Sequence, residues 1–306
     1  MCDLPTNKSL GEITRTLGAT EVNKLIFQSY KNLSFALVKH HLDDFENLKS
    51  LILSSNNVTY MDKDLLAGLV NLTGLNLRDN NLHLIAGVFN YTPGLEWIEL
   101  GDNALRSIEL GTFDNLKNLT LLNLWKNHLT EPQSGIFDEL IALKSLDLNG
   151  NNMIKLPDDI FAKLENLEIL NLSRNNFTHL PRNLLQNNTK LHTISLFDNK
   201  RNMTTLPNKF FANLTELKVL KLRKNGFVTL PEDLFWGCTS LTNITLERNY
   251  LQTLPVHIFR DLKKLEKLEL NFNDLETLPD NIFSNTNRLV NLDLSKNRIT
   301  SISGYV

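Results

Sequence analysis

Twelve Asn-X-Ser/Thr triplets are the residues of this chain whose type and spacing most directly name a chemistry. They begin at Asn7, Asn32, Asn57, Asn71, Asn90, Asn118, Asn171, Asn176, Asn187, Asn202, Asn213 and Asn243. The side-chain amide nitrogen of such an Asn accepts an oligosaccharide when a chain passes through the secretory pathway. Forty Asn and forty Ser plus Thr in 306 residues would give about five triplets by chance. The excess points to secretion; an Asn-rich pattern that generates triplets unaided is the alternative.

Other chemistry finds little support. His40 and His41 are adjacent, so on a strand they face opposite ways and lack metal-ligand spacing; the remaining five of seven His are scattered. There is no H-E-x-x-H, G-x-S-x-G or phosphate-binding Gly-rich loop. Carboxylates are plentiful but sit in surface slots without a pocket, so catalysis, a cofactor and a metal are not expected. Formal net charge is −2 and no long basic run occurs, which argues against a nucleic-acid partner. No window of 18 apolar residues suggests a membrane-spanning helix. Met1-Cys2-Asp3-Leu4-Pro5 lacks the apolar run of a signal peptide, and both ends read as cuts in a larger protein.

The elements that position these residues come from a repeat. An Asn recurs at 56, 80, 103, 127, 151, 175, 199, 225, 249, 273 and 297, at intervals of 24 broken only by one of 23 and one of 26. Around each runs L-x-x-L-x-L-x-x-N, the leucine-rich-repeat pattern. In one unit, Leu122 and Leu124 alternate with variable residues, which reads as a short strand with its Leu side chains turned inward. Asn127 then turns the chain, its amide bonding backbone groups of the turn and of the next coil. A Phe column (Phe89, Phe113, Phe137, Phe161, Phe211, Phe235, Phe259, Phe283, with Leu185 once) closes the far side. Leu-Pro pairs from Leu156-Pro157 to Leu278-Pro279 keep that side extended or loosely turned.

The fold class expected is therefore an α/β repeat solenoid: a leucine-rich-repeat horseshoe with a concave parallel sheet and an irregular convex side. Residues 1–47 read as the remnant of an N-terminal cap and a degenerate first repeat, with Leu25 and Phe27 in the strand slots. Residues 48–306 read as a solenoid of about eleven 24-residue repeats truncated at the C-terminus, the seventh expanded by two residues around Lys200 to Met203. Cys238 falls in a slot held elsewhere by Leu140, Leu164, Leu214 or Leu262, so a buried thiol is expected. Cys2 precedes the first repeat and reads as half of a cap disulfide whose partner lies outside the chain, with an incidental free thiol as the alternative. Among outward strand positions, Trp97 and Trp125 stand out, because outward Trp is uncommon and is enriched at binding hot spots. With Leu121 they would form an apolar patch ringed by Glu99, Asp102, Asn123 and Asp147. Lys221, Arg223 and Lys224 form a smaller basic cluster whose bland reading is a solvated face.

Several strings go beyond the general repeat. Met1-Cys2-Asp3-Leu4-Pro5, Leu17-Gly18, Leu25-Ile26-Phe27 and His41-Leu42-Asp43 are followed by Leu122-Asn123-Leu124-Trp125-Lys126-Asn127 and by Leu206-Pro207-Asn208-Lys209-Phe210-Phe211-Ala212-Asn213. In these the chain resembles the N-terminal leucine-rich-repeat part of the ectodomain in the insect Toll receptor family, and the expanded seventh unit falls where that family's repeats expand too. The resemblance implies the extracellular side of a type I plasma-membrane receptor. It implies a Spätzle-type cystine-knot cytokine dimer as ligand, docked on the concave side of the N-terminal repeats, with receptor homodimerisation and signalling through a cytoplasmic domain. Trp125 matches a family motif position; Trp97 rests on the residue-level reading alone. The membrane helix, the cytoplasmic domain, the Cys-rich C-terminal caps and most of the N-terminal cap are absent here, so this piece would be soluble and could bind but not signal. An extracellular adhesion or matrix protein, or an enzyme inhibitor, built on the same repeat remains the alternative.

Overall fold

A computed structural model of the protein describes residues 21–28, 35–37, 42–43, 45–84, 86–200 and 203–301. The chain divides into two compact units, Met1–His128 with Glu139–Leu143, and Leu129–Asp138 with Lys144–Val306.

In the first unit the strands are β1 (Lys24–Ile26), β2 (Phe35–Leu37), β3 (Ser50–Ile52), β4 (Val58–Met61), β5 (Gly74–Asn76), β6 (Trp97–Glu99) and β7 (Leu121–Asn123). β1, β3, β5, β6 and β7 pair in that order, all parallel and in unbroken register, so that Leu51, Leu75, Ile98 and Leu122 align. A separate parallel pair, β2 with β4, lies apart from this ladder. In the second unit, β8 (Ser145–Asp147), β9 (Ile169–Asn171), β10 (Thr193–Ser195), β11 (Val219–Lys221), β12 (Asn243–Thr245), β13 (Lys267–Glu269) and β14 (Asn291–Asp293) form another parallel ladder in sequence order. No α-helix occurs among the described residues. The solenoid expected from the repeat is what each unit builds.

Each strand of the two ladders is three residues long, and in β6 to β9 only the central residue turns fully inward: Ile98, Leu122, Leu146 and Leu170 are fully buried while their strand neighbours are half-buried or exposed. Full burial of one such side chain stabilises by roughly 1.5–3 kcal/mol, and a coil can realise it only by stacking on another. The Phe column stacks ring on ring, Phe89 on Phe113 at 6.1 Å and Phe211, Phe235, Phe259 and Phe283 in succession at 6.3, 6.4 and 5.9 Å. Leu185, the exception in that column, is equally buried.

The Leu-Pro segments open turns, not helices. Proline carbonyls at 157, 181, 207, 231, 255 and 279 each accept from the backbone N–H three residues on. Proline stands first in each turn and contributes its carbonyl, so the N–H it lacks is not needed there. On the other side, the residue that follows each strand's loop is left-handed: Asp79, Asp102, Lys126, Arg174, Asp198, Lys224, Arg248 and Phe272 all have φ between 52° and 63°. Only Gly150 avoids the steric cost in this column, which for a bulky residue is about 1–2 kcal/mol.

The Asn column satisfies these loops, but with the preceding coil and not the next one. Asn127 donates to the Leu100 and Leu124 carbonyls at 3.0 and 3.1 Å and accepts from the Leu105 N–H at 3.1 Å. Asn103 repeats the pattern on Leu77, Leu100 and Leu82. At the expanded seventh unit the ladder shifts: Asn225 Oδ1 accepts from both the backbone and the side-chain amide of Asn199. Arg201 and Asn202, within the expansion, lie outside the described residues.

Candidate ligand-recognition face

The outward side of the first unit's ladder brings most of the expected patch together. β6 and β7 pair Trp97 with Leu121 and Glu99 with Asn123. Asp102 and Trp125 follow on the same two coils, joined where the Asp102 N–H donates to the Trp125 carbonyl at 2.8 Å. Lys126 pairs with Asp102 at 2.8 Å, an exposed contact with little net effect on stability. Asn123 Oδ1 accepts from the Trp125 N–H at 3.1 Å and fixes the start of the loop.

The two indoles do not stand into solvent. Both are half-buried. Trp97 lies across Gly74, the residue paired with it on β5, and Trp125 lies across Gly101 on the coil before it. The Arg78 guanidinium, one coil further back, sits 4.9 Å from the Trp125 ring centroid, and Lys126 Nζ sits 5.8 Å from it, distances at which a cation is drawn to an indole. Residue-level reasoning missed Arg78, Gly74 and Gly101. The available signal was an outward glycine one repeat before each outward tryptophan.

Asp147 belongs to the second unit. Its carboxylate accepts from the Asn149 N–H at 2.8 Å and from the Asn171 side chain at 3.2 Å. Burial pushes this carboxyl up, and the two hydrogen bonds partly offset that. Two of the three residues of the basic cluster there have acidic neighbours, Arg223 with Glu247 at 3.8 Å and Lys224 with Asp198 at 4.0 Å, while Lys221 is exposed. Phe197, not anticipated, lies between Arg174 and Arg223, 5.7 and 4.7 Å from its ring centroid. Burial also raises Glu247, with Glu269 adding to it and Arg223 and Lys267 opposing.

Of the sequons, Asn71, Asn90, Asn118, Asn187 and Asn213 are exposed, while Asn57, Asn171, Asn176 and Asn243 are half-buried. Asn171 and Asn243 lie in β9 and β12. Asn7, Asn32, Cys2, His40 and His41 lie outside the described residues. Cys238 is buried, its Sγ 3.0 Å from the Phe211 carbonyl. Among the described residues no cluster of three or more His, Cys, Asp or Glu could hold a metal, and no helix is long and apolar enough to cross a membrane.

Two family models match: the BspA type leucine rich repeat region over residues 83–218, and the leucine rich repeat over 198–251 and 239–299. Protein toll of Drosophila melanogaster is 36% identical over 105 residues, which is 34% of this chain and 10% of that protein. The glycosylated form of the Drosophila Toll–Spatzle complex superposes with a TM-score of 0.88 at 36% identity, covering 99% of this chain and 40% of that one. A second structure of the complex gives 0.83 at 35% identity, covering 97% and 39%. The TLR13–ssRNA13 complex, with a TM-score of 0.69 at 23% identity over 95% of this chain and 52% of that one, shares the fold. The chain thus spans well under half the length of the Toll chains it matches.

Proposed function

We propose, from the premise that this chain belongs to the leucine-rich-repeat family as a segment of Toll-receptor type, that it is the extracellular ligand-recognition region of such a receptor. Its ligand is a dimeric cystine-knot cytokine of Spätzle type, docked on the outward face of the strands. Likeness over nearly the whole chain to a Toll solved with Spatzle is the observation that carries this reading.

The contacts we assign are Trp97, Glu99, Asp102, Leu121, Asn123 and Trp125 in the first unit; Asp147, in the second unit, is a candidate taken by itself. The first six combine half-buried aromatic and aliphatic surface with carboxylate and amide groups at its edge. Aromatic anchors with a polar surround are the usual composition of an energetic centre in a protein interface. The receptor acts at the plasma membrane through parts beyond this chain, and pairs with a second copy when ligand binds.

The test is calorimetric or surface-resonance titration of the secreted, glycosylated chain with processed cytokine. Saturable binding that weakens by about tenfold or more on Trp125→Ala is expected. A folded chain that binds no cytokine would move the adhesion or matrix reading ahead.

A further inference from the structure

Two positions on the outward face pair a glycine with a tryptophan one coil on. Among the strands of the two ladders, glycine occupies the leading position once, at Gly74, and tryptophan once, at Trp97 on the adjacent strand. Two residues beyond each strand the same occurs: the one glycine is Gly101 and the one tryptophan is Trp125, on the next coil. Neither glycine has the left-handed φ that would demand it. What a side chain would meet is the indole: at Gly74 the nearest atoms are Cε2, Cζ2 and Nε1 of Trp97, and at Gly101 they are Nε1, Cδ1 and Cε2 of Trp125, all closer than 3.0 Å.

We propose that Gly74 and Gly101 are positioning residues that seat Trp97 and Trp125 flat on the preceding coil, and that Arg78 clamps Trp125 from the coil beyond, so that both indoles are fixed before ligand arrives. Arg78 reaches the Trp125 ring only because Gly101, on the coil between them, leaves the space open. A guanidinium stacks on an indole and still keeps in-plane N–H donors for an acceptor on the ligand. Ring ordering is then a cost met in folding and not in binding. This inference rests on the ligand-recognition reading above.

Trp97, Trp125 and Trp236 are the three tryptophans of the chain, so Trp97→Phe with Trp236→Phe leaves Trp125 as the sole indole emitter. In that background, Gly101→Ala should displace the ring, red-shift its emission and raise acrylamide quenching about twofold or more. Arg78→Ala, which adds no bulk and so spares folding, should raise quenching in the same direction. In the otherwise native chain, Gly101→Ala should weaken cytokine binding by about tenfold. In a Trp125→Ala background it should weaken binding no further. Unchanged emission and quenching in both variants would overturn the seat, as would an equal affinity loss from Gly101→Ala with and without Trp125. If Trp125→Ala alone leaves affinity intact, the ligand reading falls while fluorescence still decides whether the seat exists.

Discussion

Asn171 donates its side-chain amide to the Asp147 carboxylate at 3.2 Å, from β9 to β8. A sequon on the strand face and an acidic residue of the expected contact set are thus each other's partners. Asn171 Oδ1 is engaged too, accepting from the Ser173 N–H at 3.2 Å. Ser173 is fully buried and its Oγ accepts from the Phe197 N–H. Side chains therefore knit three successive coils together on the very face that would recognise a ligand.

That pairing predicts the behaviour of Asn171→Asp. The new carboxylate would face one whose pKa burial already raises, and like charges opposed across strands destabilise. At pH 7.5 the variant should be less stable than Asn171→Ala by about 0.5–1 kcal/mol. The penalty is absent where both carboxyls hold their protons, below the ordinary carboxylate range. It grows as pH rises through that range to the raised folded-state values. Thermal melting of both variants at pH 4 and 7.5 checks this; a gap that does not change with pH would count against it.

Glu247 should make the native chain more stable in mild acid. Its carboxyl is raised by burial, then by Glu269, against the pull of a backbone hydrogen bond, Arg223 and Lys267, and its Oε2 is buried without a hydrogen-bond partner. The folded state then holds a proton that the unfolded state has released. Stability falls as pH climbs from the ordinary glutamate value to the raised one, and stays lower above it. Glu247→Gln has no such proton. Relative to the native chain it should gain stability between pH 4 and 7.5, as denaturant unfolding at the two pH values would show. A native-minus-variant difference that is flat with pH would contradict the assignment.

The register of the fold was legible because its cause is local and repeated: Leu122 and Leu124 announce an inward strand face in the same way as Leu146 and Leu148. The Phe column and the prolines were legible for the same reason. The posture of Trp125 was not, since whether an outward ring stands up or lies down depends on the residue one coil back. Gly101 decides it, and its meaning appears only when two repeats are aligned. Phe197 was passed over likewise, its surroundings being Arg174 and Arg223 from the coils on either side. Asn127 was recognised as a turn residue, yet the direction of its bonds, to Leu100 and Leu105 and so backwards, is a property of coil stacking.

Those backward bonds make the Asn column a sensitive place for mutation. Asn127→Ala would strand the Leu105 N–H, from which its Oδ1 accepts at 3.1 Å, and would take one donor away from each of the Leu100 and Leu124 carbonyls. An unpaired buried polar group costs about 1–3 kcal/mol, so a loss in that range, about 1–3 kcal/mol, is expected. Asn152→Ala, at an exposed position beside the same column, should change stability by no more than about 0.5 kcal/mol. Urea titrations of the two variants decide it: comparable small losses would show that the column is held by the Leu core and not by its amides.

Cys238 offers a clock for whole-coil opening. Its thiol is fully buried, donates to the Phe211 carbonyl at 3.0 Å, and is pushed by burial from an ordinary 9.0 up to about 12. Thiolate, not thiol, reacts with disulfide reagents, so in a Cys2→Ser chain at pH 8 labelling should be silent in the folded state. It should appear with urea at the same midpoint as the loss of β-sheet signal. Because the folded thiol keeps a proton that an unfolded one loses above pH 9.0, stability should also fall as pH rises from there toward about 12, and Cys238→Ala should remove that alkaline slope. Rapid labelling of the native chain would mean that the coil carrying Cys238 opens without global unfolding, and the tight stacking of Phe211 on Phe235 at 6.3 Å would then not govern access to the thiol.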